Sequence, residues 1–141
     1  MIHSLAYMIT VLRNEFSNYC NGKLAQIGLT QGLLVFIVYI GKVQCCSAKQ
    51  LTNDLRMDAG YTTRILAKLE KEGFIKQDIH PNDRRSRILS LTSKGEDAFA
   101  LSHDLFYEWD QKITKNLSTT QHEDLLVLLK GLIQEQGGEI Q

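Results

Sequence analysis

The sequence predicts a mainly α-helical domain carrying one small β-hairpin. Three observations carry this. Apolar residues recur at spacings of three and four over most of the chain; helical stretches open on Ser, Thr or Asp; and two short alternating runs flank a segment holding the only proline.

From Ser4 to about Gly22, Leu5, Ile9, Leu12, Phe16 and Tyr19 mark one amphipathic helix. The run Leu33 to Ile40 (LLVFIVYI) stays open on its residues. Val35, Ile37, Val38 and Ile40 suit a buried strand, whereas Thr30 as a cap and about 13 residues to Lys42 suit a buried helix. Ser47-Ala-Lys-Gln50 is a capping box that starts a short helix to about Leu55. Arg56-Met57 makes a turn, and Asp58 caps a second helix, Ala59 to Glu72, with Gly73 as its stop. That helix buries Thr62, Ile65, Leu66 and Leu69. Its other face shows Gly60, Arg64, Ala67, Lys68 and Lys71, flanked by Tyr61 and Thr63.

Phe74 to Ile79 and Arg87 to Leu91 read as a half-buried hairpin, with Ile75, Ile79, Leu89 and Leu91 on its apolar face. The stretch between them, from His80 with Pro81, Asn82 and Asp83 to Arg84 and Arg85, reads as a tight turn. Thr92 or Ser93 then caps a long helix striped by Ala98, Leu101, Leu105, Trp109 and Ile113. Ser118-Thr-Thr-Gln121 opens a last helix with Leu125, Leu128, Leu129 and Leu132 on one side, ending at Gly137-Gly138.

A length of 141 residues makes one domain, or one domain with an oligomerisation extension, and 43% hydrophobic residues can fill a core. The 16 basic and 16 acidic residues cancel, but not locally. Arg56 to Arg87 holds eight Lys/Arg against five acids, a net +3 that leaves −3 elsewhere. A basic segment on a neutral chain fits one face that meets a polyanion. The start has no signal-peptide layout, and the longest apolar run, eight residues, is far short of the roughly 20 that span a bilayer. Cys20, Cys45 and Cys46 lack metal-ligand spacing, and His3, His80, His103 and His122 form no pattern with acids. No nucleophile–base pair or phosphate-cradling glycine loop is visible. The expectation is a cytoplasmic, reduced protein with no membrane segment, metal or cofactor, and not an enzyme.

Helix, tight turn, helix and β-hairpin across 47–91 make a winged helix-turn-helix. The second helix of such a pair reads base edges in the DNA major groove, which places Gly60, Tyr61, Thr63, Arg64 and Lys68 at bases and phosphates. The hairpin, or wing, presents Arg84, Arg85 and Arg87 to a minor groove, whose narrow walls draw in guanidinium groups. Asp83 is placed to brace the Arg85 guanidinium by a bidentate pair.

The run Asp58 to Ile75 (DAGYTTRILAKLEKEGFI), then Asp83-Arg84-Arg85, Leu91-Thr92 and Gly95, resembles the MarR family of bacterial transcriptional regulators. The spacing T-R-x3-K-L-E-x2-G joined to D-x-R-x5-L-T carries the likeness, which extends over 1–141. The resemblance implies helical dimerisation regions at 1–28 and 93–141, and a homodimer with intertwined terminal helices. Two winged regions would then lie roughly 34–36 Å apart on a pseudo-palindromic operator in double-stranded DNA. It also implies a helix at Leu33–Ile40, Arg85 as the minor-groove arginine and Asp83 as its bracing acid. Gly60 and Ala59 depart from the family's frequent Ser/Thr and Pro. Members are more often repressors than activators, and many release DNA when a small aromatic or phenolic effector enters a crevice, which Tyr7, Phe16, Phe36 and Tyr39 are candidates to line. One branch senses oxidants through a cysteine where this chain has Ala6. Two other readings are a thiol-based redox sensor using Cys20, Cys45 or Cys46, and a winged-helix protein-interaction module with no DNA target. Cys20 is a candidate for the dimer interface, and Cys45-Cys46 lie where a helix N-terminus lowers a thiol pKa, but small apolar filler is the favoured role of all three.

Overall fold

The computed structural model describes residues 3–137. Gly138 and the outermost ends of the two flanking helical regions lie outside the described residues. Thr30 is extended, its side chain accepts the Leu33 N–H at 3.3 Å, and helix α2 (Gln31–Val43) follows. The LLVFIVYI run is therefore helical. Its β-branched residues sit in a helix because Leu33, Leu34, Phe36, Ile37 and Ile40 are all buried, and packing outweighs the few tenths of a kcal/mol of intrinsic preference per residue.

Helix α1 (Leu5–Leu24) precedes it, and the amide oxygen of Asn21 accepts the Gln31 N–H at 2.7 Å, joining the two helices. Only the C-terminal part of α1 is buried, through Cys20 and Leu24. Beyond α2, Gln44 and Cys45 both adopt left-handed backbone (φ 52° and 49°) and swing the chain into a two-residue strand, β1 (Cys46–Ser47), which the sequence did not reveal. Helix α3 (Ala48–Asp54) starts at once. Ser47 Oγ accepts the Gln50 N–H at 3.0 Å, but only this half of the expected capping box is made. Helix α4 (Ala59–Lys71) is capped by Asp58, whose carboxylate accepts the Tyr61 N–H at 2.8 Å. It buries Thr62, Leu66 and Leu69, while Ile65 is half-buried. Gly73 takes φ 86°, and strand β2 (Ile75–His80) begins two residues on.

Strand β3 runs from Asp83 to Leu91, longer than expected. The sheet is antiparallel in the order β1-β3-β2. Ile75 and Leu89 face the core as predicted, but Ile79 is 60% exposed because the hairpin extends past the body of the domain there. Helix α5 (Ser93–Ile113) is capped by Thr92, which accepts the Gly95 N–H at 3.1 Å. Ala98, Ser102 and Leu105 are its buried positions besides Gly95, and Ile113 lies beyond the core. Helix α6 (Thr119–Glu135) carries the complete capping box, Ser118 with Gln121, and buries no residue at all.

Two apolar surfaces stay uncovered. They are the first half of α1 (Leu5, Ile9 and Leu12 among others) and α6, where Val127 and Leu128 are 68% and 67% exposed. Among the described residues no single helix is long and apolar enough to cross a membrane. The α1–α2 pair passes such a test together, but it is bent by 79° and α2 is packed inside the domain.

The start of α5 is fastened to the link after α4. Thr92 Oγ1 donates to Gly73 O at 2.5 Å, the Thr92 N–H to Phe74 O at 3.1 Å, and Lys94 Nζ to Glu72 O at 2.9 Å. Gly95 sits so close that a methyl group there would collide with the Phe74 carbonyl oxygen. Gly95→Ala is expected to destabilise the protein by about 1–3 kcal/mol in urea denaturation, and an unchanged midpoint would contradict this packing.

Candidate nucleic-acid interface

Helix α4 turns Gly60, Tyr61, Thr63, Arg64 and Lys68 outward, all exposed. Thr63 Oγ1 donates to Ala59 O at 2.9 Å within its own helix. The Tyr61 ring leans on Phe36, centroids 6.3 Å apart, so one side of it is held against the core and the other faces solvent. Gly60 lies close to two of its neighbours on the helix start. A Cβ there would stand 3.2 Å from the capping oxygen of Asp58 and 3.8 Å from an Arg64 guanidinium nitrogen, which folds back over the helix start.

The wing differs from the expected turn in an instructive way. Pro81 and Asn82 form its tip, and Arg84, Arg85 and Arg87 lie on β3. The register with β2 passes from Ile79↔Arg87 to His80↔Asp83, so Arg84, Arg85 and Ser86 bulge out unpaired. Asp83 does brace the bulge, but through the backbone. Its Oδ1 accepts the Arg85 N–H at 3.0 Å, a turn in which the acid binds an amide two residues on, and it makes no ion pair with the guanidinium. Across the tip, His80 Nδ1 accepts the Asn82 N–H at 3.0 Å. Arg87 Nη1 donates to Arg84 O at 3.2 Å and, more weakly, to Ser86 O at 3.4 Å.

Between wing, α4 and the start of α3 lies a cleft of about 400 Å³. Thr63 lines it from α4, Asp83, Arg85 and Arg87 from the wing, and Lys49 from α3. Lys49 precedes the basic segment of the sequence. Its signal was its place in the first turn after the Ser47 cap, on the helix that crosses the backbone in such folds. Glu70 Oε2 accepts the Gln77 N–H at 2.9 Å and so ties α4 to the wing. Gly60, Tyr61, Arg64, Lys68 and Arg84 lie outside the cleft.

Charge supports the geometry. Among the described residues the ion pair made is Lys23–Glu108 at 2.9 Å, between α1 and α5. The basic side chains from Arg56 to Arg87 are exposed and make no ion pair with an acid. No group of three or more His, Cys, Asp or Glu among the described residues is placed to hold a metal.

The four aromatic effector candidates do not share one crevice. Phe36 is fully buried, Phe16 packs on Phe106 and Trp109, and Tyr7 stands on the exposed part of α1. Tyr39 lines a groove of about 150 Å³ with Val35, Val38, Lys42, Val43, Asp54 and Leu55, and its hydroxyl donates to Asp54 Oδ2 at 2.5 Å.

Two of the three thiols are small apolar filler. Cys20 belongs to the core rather than to an outer face, and burial pushes its pKa up to about 11. Burial likewise raises Cys46 to about 11, so the helix start does not activate it. Cys45 is exposed. A small alkylating reagent at neutral pH should label Cys45 alone in the folded protein and all three thiols after denaturation. Fast labelling of Cys20 or Cys46 without denaturant would contradict this.

Residues 29–86 match the family model described as MarR family. The chain is 40% identical over 132 residues to the HTH-type transcriptional regulator BilQ of Clostridium symbiosum (strain WAL-14163), covering 94% of this chain and 92% of that protein. A crystal structure of MarR superposes with a TM-score of 0.89 at 20% identity, covering 96% of this chain and 94% of that one, a likeness of fold. A mutant MarR from E. coli, complexed with operator DNA, superposes at 0.81 with 26% identity, covering 92% and 93% of the two chains.

Proposed function

The chain belongs to the MarR family of transcriptional regulators, and from that premise we propose that it represses transcription by binding a pseudo-palindromic operator in double-stranded DNA as a homodimer. The observation that carries this reading is the cleft joining Arg85 of the wing to Thr63 of α4, rimmed by Lys49, Arg85 and Arg87, none of which is ion-paired with Asp83 in the same wall. In it α4 enters the major groove, Arg64 and Lys68 meet bases or phosphates, Arg84 and Arg85 reach the adjacent minor groove, and Lys49 takes a phosphate. The uncovered apolar faces of α1 and α6 supply the dimer contact, with 1–28 and 93–141 as its helical regions. A small aromatic or phenolic effector binds the Tyr39 groove, whose volume suits one benzene-sized ring and whose Lys42, Asp54 and Tyr39 offer polar partners. Such a regulator works in the cytoplasm, where the DNA is.

Arg85→Ala should weaken operator binding at least about tenfold while leaving the dimer intact by light scattering, since one well-placed groove arginine is worth about 1–3 kcal/mol. Affinity for duplex DNA should also fall steeply with added salt as counterions are released. Binding that is absent, or flat with salt, would instead favour a protein-interaction module. Arg64→Ala should cost about 1–3 kcal/mol and relax preference at one operator position, scored by competition among single-base variants. A uniform loss across all those variants would make Arg64 a phosphate contact.

A further inference from the structure

We infer that Arg87 is a positioning residue of the wing, which holds Arg85 in place and does not itself contact DNA. The inference rests on the wing reading above and assigns Arg87 a different part in it from Arg84 and Arg85. The strand register leaves Arg84, Arg85 and Ser86 without partners on β2. A three-residue bulge near a hairpin tip has lost its ladder bonds and would sample many backbone states unless something else held it. Two side chains do. Asp83 takes the Arg85 N–H, and Arg87 Nη1 takes the carbonyl oxygens of Arg84 and Ser86, the residues on either side of Arg85.

The bulge is thus clamped from its amide side by an acid and from its carbonyl side by a guanidinium. Arg87 aims its donors back at its own backbone, whereas Arg84 and Arg85 have no side-chain partner among the described residues. A guanidinium suits this task because it is planar, always charged and carries several donors in a fixed fork. Fixing the bulge before DNA arrives spares the complex the entropy of ordering it on binding.

The test is a double-mutant cycle on operator affinity, using wild type, Arg85→Ala, Arg87→Ala and the double variant, together with amide hydrogen exchange of the free proteins. If Arg87 acts through Arg85, each single variant binds about tenfold more weakly, and the double variant is no worse than Arg85→Ala within about twofold. Exchange at the Arg85 amide, which the intact bulge ties to Asp83, rises in free Arg87→Ala, with the helices unchanged. Three results overturn the inference. They are losses that multiply in the double variant, an Arg87→Ala protein that binds like wild type, or unchanged exchange at the Arg85 amide. A direct phosphate contact by Arg87 would also lower the salt slope by about 0.9 in Arg87→Ala even when Arg85 is already absent. Failure of the wing reading itself looks different: wild type does not bind DNA, or Arg85→Ala binds as well as wild type, while the exchange measurement still decides whether Arg87 clamps the bulge.

Discussion

Burial of helix α2 is the constraint from which the other elements take their places. Leu33, Leu34, Phe36, Ile37 and Ile40 leave water almost completely, each contributing about 1.5–3 kcal/mol before chain entropy is charged against it. No single neighbour can cover them, so α1, α3, α5 and β3 all close on α2. Gly41 lets α5 approach, since a Cβ there would lie only 2.6 Å from the Phe99 ring. Phe36 carries the same constraint outward to Tyr61 on α4. The helix that faces solvent is therefore indexed to the core by a ring contact rather than left to its own short turn.

From that core the fastening runs on to the wing. Thr92, Lys94 and Gly95 hold the start of α5 against Gly73 and Phe74, and Glu70 holds the backbone of Gln77. The hydrogen bonds among these contacts fasten α5 to the link after α4 and α4 to the wing, each worth about 1 kcal/mol net, so their value lies more in fixing geometry than in total stability. The result is a body whose one ion pair, among the described residues, sits between α1 and α5, and whose basic segment makes none. Neutral net charge hides this polarity. It also explains how the chain can offer a cationic face without the self-repulsion of a uniformly basic protein.

The helices were legible in the sequence because caps and apolar spacing are local signals. Thr30, Ser47, Asp58, Thr92 and Ser118 all cap where expected. The run from Leu33 to Ile40 was not decidable from its own residues, because a segment buried all round shows no period; the family resemblance gave the right answer. The arginine bulge was illegible for another reason. Which residues a strand skips depends on its partner's register, and nothing in DRRSR states that Arg87 pairs with Ile79 while Asp83 pairs with His80. Strand β1 escaped notice because two residues carry no alternation. Cys46 beside a helix start and Phe36 in an aromatic set are both core, the role that small thiols and helically spaced aromatic rings most often take.

The central claim is that the wing and α4 act on adjacent grooves of one duplex. Hydroxyl-radical footprinting of DNA fragments that the protein retains from its own genome tests it most directly, run beside guanine-N7 methylation protection for the major groove. Major-groove protection is expected in two half-sites about 10 base pairs apart, each flanked by a protected minor groove. In Arg85→Ala the minor-groove protection should vanish while the major-groove protection persists at higher protein concentration. Major-groove protection with no minor-groove footprint in the wild type, or a minor-groove footprint that survives Arg85→Ala, would contradict it.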